Sequence, residues 1–153
     1  VSGQQASIRT KGKYQDKRQV SGIKIVNKCK IIQITTMHNF KELKIWQMSR
    51  GLVKDIYDVT RHLPHEELFI LTSQMRRAAI SIPSNISEGA GRNSDKEFVR
   101  FIDIARGSSF ELETQLFLCY DQNYLTEIEL NTILEKVQKI QKMLYNFKFT
   151  LSH

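Results

Sequence analysis

The sequence holds only two cysteines in 153 residues, Cys29 and Cys119. They lie far apart in zones of different composition, so a disulfide framework is not expected, and a reducing cytoplasm is the default setting. No stretch approaches the roughly 18 consecutive apolar residues that a membrane-spanning helix needs. The N-terminal zone carries basic residues but no apolar core of about 7–15 residues before a small-residue cleavage site, so a secretory signal is not expected. The chemistry-bearing patterns are equally sparse. Gly89-Ala90-Gly91 lacks the spacing of a phosphate loop and follows no strand; it reads as a helix C-cap and turn. Gly107-Ser108-Ser109 lies within a helical pattern and has no evident His–Asp partnership, which excludes a nucleophile elbow. His62 and His65 flank a turn without further ligands nearby. Glu111 and Glu113 are two apart and face different sides of a helix, and no Glu-x-x-His pair exists to build a di-iron bundle. Asn85-Ile86-Ser87 matches a glycosylation sequon, but it falls on a helix in a chain expected in the cytoplasm. The expectation is a protein with no catalytic residues, no metal and no cofactor.

What is present divides into two zones. The net charge is +7, and residues 1–36 hold eight basic side chains against Asp16 alone. Of 23 basic side chains this leaves 15 in the remainder, and of 16 acidic ones also 15. The basic character thus belongs to the leader, and the rest is neutral. Residues 1–36 are rich in turn and polar residues, with a β-prone stretch from Ile23 to Thr35 that has no partner strand. They read as a basic, mostly irregular N-terminal arm. Such an arm binds RNA or DNA by counterion release without reading sequence. Met37 stands immediately before the first strong helical pattern. If the native chain begins there, the arm is an upstream extension and its charge has no functional meaning.

From residue 37 to 153 four amphipathic segments follow. Asn39 with Glu42, Ser94 with Glu97, and Thr126 with Glu129 have the spacing of a capping box, in which the side chain accepts the N3 amide proton and the carboxylate reaches back to the cap amide. Pro64 followed by Glu66 and Glu67 marks the second start. Apolar stripes run through Leu43–Tyr57, Leu68–Ile86, Phe98–Cys119 and Leu130–Phe147 at helical spacing. Short connections force neighbouring helices antiparallel, so the fold expected is an all-α, up-down-up-down four-helix bundle. Pro83 falls inside the second helix, where a kink and no break is expected. Gly107 and the small residues Ala78, Ala79, Ser81 and Ser84 allow a close approach of the second and third helices, or contact with another subunit.

The run from Gln74 to Gly89, QMRRAAISIPSNISEG, resembles the signature segment of the proteins encoded in 23S rRNA intervening sequences, also called the S23 ribosomal protein family. Phe40 to Trp46, Arg92, Phe98 to Phe101, Ala105 to Ser108 and Glu111 to Glu113 extend the likeness over about residues 37–149. The resemblance implies a four-helix bundle that assembles into a homopentameric ring. It also implies kinship with the accessory variability proteins of diversity-generating retroelements, which bind nucleic acid and a reverse transcriptase. The neutral bundle departs from that sister group. The function expected is therefore a non-catalytic homo-oligomeric scaffold, with RNA or DNA, or a reverse-transcriptase-like protein, as its partner. The alternative is a purely structural protein-interaction module.

Two residue sets are candidates. Arg77, Ser81, Ser84 and Glu88 recur at i, i+4, i+7 and i+11, with Asn85 beside them. This polar face reads either as a solvated surface or as a subunit interface in which Arg77 and Glu88 pair with each other's copies. Arg76, Arg92, Lys96, Arg100 and Arg106 are candidates for phosphate contact, against the plainer reading of charge balance with Asp95, Glu97 and Asp103.

Overall fold

The computed structural model describes residues 39–152. The N-terminal arm expected over 1–36 lies outside the described residues. Four α-helices follow in order: α1 (Lys44–Thr60), α2 (Leu71–Ala90), α3 (Asp95–Asp121) and α4 (Glu127–Ser152). Among the described residues there is no strand. The expected all-α four-helix bundle is what forms, with α2 and α3 in the most extensive contact, then α3 and α4, then α1 and α2.

The core follows the stripes. Leu52, Ile56, Met75, Ile82, Ile86, Phe98, Ile102, Leu112, Leu116, Val137, Ile140 and Leu144 are all essentially inaccessible. Each large apolar side chain buried in this way contributes about 1.5–3 kcal/mol. Buried hydroxyls bond within their own helices, Ser49 to the Ile45 carbonyl and Thr60 to the Ile56 carbonyl, so no desolvation penalty remains there.

Of the four helix starts expected, one forms as expected, one forms in half and two open 3-10 turns. Thr126 and Glu129 form the full reciprocal box: Oγ1 accepts the Glu129 N–H at 3.3 Å, and the Thr126 N–H donates to Oε2 at 2.9 Å. Ser94 accepts the Glu97 N–H at 3.3 Å, while Glu97 meets only the Ser94 hydroxyl. Asn39 does not cap a backbone amide; its side chain donates to Glu42 Oε1, and a short 3-10 turn (Phe40–Glu42) precedes α1. The segment after Pro64 is likewise a 3-10 turn (His65–Phe69), and α2 starts only at Leu71. Leu68, expected in the second stripe, is exposed in consequence. Glu67 acts across that junction: Oε2 accepts the Leu71 N–H and Oε1 accepts the Tyr124 hydroxyl, both at 3.4 Å.

The helix α2 runs unbroken through the buried Pro83. Gly89 and Ala90 lie within it and Gly91 is the cap, in a right-handed conformation (φ −85°, ψ 0°). Gly89 is required for proximity and not for turning: a Cβ there would lie 2.4 Å from Phe98 Cδ2 and 2.8 Å from Phe101 Cβ. The α3–α4 turn uses Asn123 at φ 59°, a left-handed position that asparagine tolerates.

Candidate functional site

The polar positions of α2 fall on the outer side of the α2–α3 pair. Arg77, Ser84 and Glu88 are exposed, and Ser81 and Asn85 are half-buried. Ser81 and Ser108 share a hydroxyl–hydroxyl bond of 2.8 Å across the two helices. The Asn85 amide nitrogen donates to the Ser81 carbonyl (2.8 Å) and hydroxyl (3.0 Å). Arg77 bonds to Gln74 and lies 3.6 Å from Glu111. Glu88 pairs with Arg92 one turn on. The donors of Ser81 and Asn85 are thus spent inside the chain, where the Asn85 amide braces its own helix.

Apolar side chains that the sequence stripes did not single out complete this face. Ile80 (41% exposed) shares a side of α2 with Arg77 and Ser84, at i+3 and i+4. Ile104 (44%) and Leu118 (47%) lie in the α3 row Ile104–Ser108–Glu111–Leu118. The Ser81–Ser108 and Arg77–Glu111 contacts join the two rows. Their signal was present in the sequence as apolar residues out of phase with the main stripe. Gly107 has nothing within 4 Å of a would-be Cβ, so the approach of α2 to α3 does not require it.

The five phosphate candidates separate. Arg76 is turned inward: Nε donates to Thr60 at 2.8 Å, and the guanidinium stacks on Tyr57 at 4.7 Å. Arg92 is held by Glu88 and lies 4.6 Å over Phe101. Both guanidiniums are thus engaged within the chain. Lys96 and Arg100 are exposed. Arg106 stands between two rings, 5.6 Å from the Phe110 centroid and 5.2 Å from that of Tyr145.

The neutrality of the bundle conceals a gradient. The pairs Ser81–Ser108 and Gln141–Ser109 mark its middle. The half made of 39–51, 82–107 and 140–152 carries nine basic and five acidic side chains. The half made of 52–81 and 108–139 carries six basic and ten acidic ones. Helix order alone converts a zero sum into a basic end and an acidic end, and fields of this kind steer charged partners.

The Cys119 thiol is buried, 3.3 Å from the Met75 sulfur, and burial, then the charge of Glu67, pushes its pKa up to about 11. It is protonated and inert at neutral pH. Among the described residues no three His, Cys, Asp or Glu side chains gather as a metal would need, and no helix is long and apolar enough to cross a membrane. His62 and His65 are exposed.

Residues 41–146 match the family model described as 23S rRNA-intervening sequence protein. A crystal structure from Bacteroides thetaiotaomicron, of a protein of unknown function from the S23 ribosomal protein family, superposes with a TM-score of 0.64 at 25% identity, over 68% of this chain and 97% of that one. No curated protein matches the chain.

Proposed function

The chain belongs to the 23S rRNA-intervening sequence protein family, and from that premise we propose that it is a non-catalytic scaffold that self-associates through the outer face of α2 and α3 and binds nucleic acid. The observation that carries the reading is the row of uncovered isoleucine and leucine side chains, Ile80, Ile104 and Leu118, set among short serines on that face. Two such faces can approach closely because Ser84 and Gly107 project little. The donors of Ser81, Ser108 and Asn85 are already satisfied within the chain, so covering them strands none of the three. Arg77 and Glu88 then lie within or beside the contact, which is how they would serve the pentamer that the resemblance implies. The exposed Lys96 and Arg100 in the basic half support the nucleic-acid part, as cations available for phosphate.

Light scattering on the full chain tests the assembly. A mass of five chains is expected, with Ile80→Glu plus Ile104→Glu returning a folded monomer. A wild-type monomer at micromolar concentration would overturn it. The internal engagement of Arg76 and Arg92 favours the alternative, a structural module without nucleic acid. Absence of RNA binding at low salt would select that alternative.

A further inference from the structure

On the other flank of α3, between it and α4, lies an open groove of about 460 Å³ lined by Arg106, Phe110, Gln141, Lys142, Tyr145 and Asn146. Phe110 is 46% exposed and Tyr145 45%, and Tyr145 meets Phe149 edge-on with centroids 4.8 Å apart. Rings left this exposed around one groove are not what burial alone would leave on a helical surface. The Arg106 guanidinium stands between two of them, yet among the described residues its N–H groups have no hydrogen-bond acceptor and it has no acidic partner. Lys142 and the Asn146 side-chain amide are likewise without partners there. The nearby carboxylates are engaged elsewhere: Glu113 accepts from Gln141 at 2.7 Å, and Asp103 holds Lys148 at 2.8 Å.

We propose that this groove is a base-stacking site for single-stranded nucleic acid, in which a base lies on the Tyr145–Phe110 side and Arg106 and Lys142 receive the adjoining phosphates. The inference rests on the nucleic-acid-binding reading above and gives it a place and a chemistry. Rings this exposed can take an unstacked base on the side that Arg106 leaves open, which a duplex does not offer. A guanidinium with all its donors available beside those rings matches a phosphate one bond system away from the base. The unpartnered Asn146 amide and the Gln141 side-chain carbonyl oxygen supply adaptable contacts to base edges. An acidic peptide would use the two cations but leave the ring faces uncovered.

The test is fluorescence anisotropy with the full chain, using a labelled oligouridylate of about twelve nucleotides, an abasic strand of the same length, and a hairpin duplex. The oligouridylate is expected to bind more tightly than either comparison. Tyr145→Ala is expected to weaken it roughly ten-fold, within the range for one lost base stack, and Tyr145→Phe to restore it. Arg106→Gln is expected to lower the salt slope by about one. Equal binding of the abasic strand overturns the proposal. Binding to wild type that Tyr145→Ala leaves unchanged overturns the groove while the nucleic-acid reading stands. No binding by wild type overturns both. A Tyr145→Ala protein that loses oligonucleotide and also changes mass in light scattering marks the groove as a subunit contact, which overturns it too.

Discussion

Helix α3 touches α2 on one flank and α4 on the other, and the two flanks are built to different scales. Toward α2 the contacts are small: Ser108 on Ser81, and Gly89 pressed against Phe98 and Phe101. Toward α4 they are long: Phe98 on Phe147 at 5.3 Å, Glu113 to Gln141, Asp103 to Lys148 and Arg106 to Tyr145. Short side chains bring helices together and leave a flat exterior on which any apolar residue is uncovered. Long ones hold helices apart at the rim and leave a groove. The flat flank has the donors of Ser81, Ser108 and Asn85 satisfied and apolar side chains beside them, so it suits another protein surface. The grooved flank has cations in search of acceptors, so it suits an anion.

The contrast is most easily broken with glycine. Gly89→Ala should destabilise the fold by about 1–3 kcal/mol, as overpacking does, because its Cβ meets the core ring of Phe98. Gly107→Ala meets nothing and should stabilise by up to about 1 kcal/mol through helix propensity. Urea unfolding of the two variants gives both values. Equal losses would show that the α2–α3 approach is not set by Gly89, and the distinction between the flanks would fail.

How far the sequence showed these flanks depends on the kind of signal. The four apolar stripes located the four helices because burial of one face is a strong, periodic constraint. Start signals were less reliable. Thr126 caps as its spacing implies and Ser94 forms half of its box, whereas Asn39 and Pro64 open 3-10 turns, since a cap motif does not fix which turn geometry the preceding chain allows. Arg77, Ser84 and Glu88 were legible as a surface row. Ile80 and Ile104 showed only as apolar residues out of phase with the stripes, and neither they nor Phe110 and Tyr145 could be read as exposed, because exposure of an apolar residue is a tertiary fact. The division of Arg76 from Arg106 was equally invisible: both are arginines on a helix, and only the neighbours, the Thr60 hydroxyl in one case and two aromatic rings without an acceptor in the other, separate them.

The turns entering each flank differ as well, by a smaller amount. Thr126→Ala should cost about 1 kcal/mol, and Ser94→Ala less, because the Thr126 box is reciprocal and the Ser94 cap is one-sided. The Thr126 box also carries a pH signature. The Thr126 amide N–H, then its hydroxyl, hold the Glu129 carboxyl below its ordinary value of 4.5. A depressed folded pKa means that this stabilisation is complete above the unfolded carboxylate range and is lost as pH falls through the lower folded value. Thr126→Ala should therefore flatten part of the acid limb of a stability–pH curve, and Ser94→Ala should leave that limb in place. Thermal melts from pH 7 down to about pH 3, bracketing the ordinary carboxylate range, decide the point.

The smallest change in stability discriminates the flanks by charge alone. Glu111→Gln on the flat flank and Asp103→Asn on the grooved one each remove half of an exposed ion pair, Arg77–Glu111 or Lys148–Asp103. Either should shift stability by less than about 1 kcal/mol. Their effects on nucleic acid should differ. Losing Asp103 releases Lys148 in the basic half, beside the groove's end, so single-strand binding should tighten and its salt slope steepen by a fraction of one contact. Losing Glu111 frees Arg77 on the surface assigned to another copy of the chain, so strand binding should stay as it was and any change should fall on the mass measured by light scattering. Equal tightening by both variants would mean that strands follow net charge over the whole bundle, and that neither flank of α3 is specialised for them.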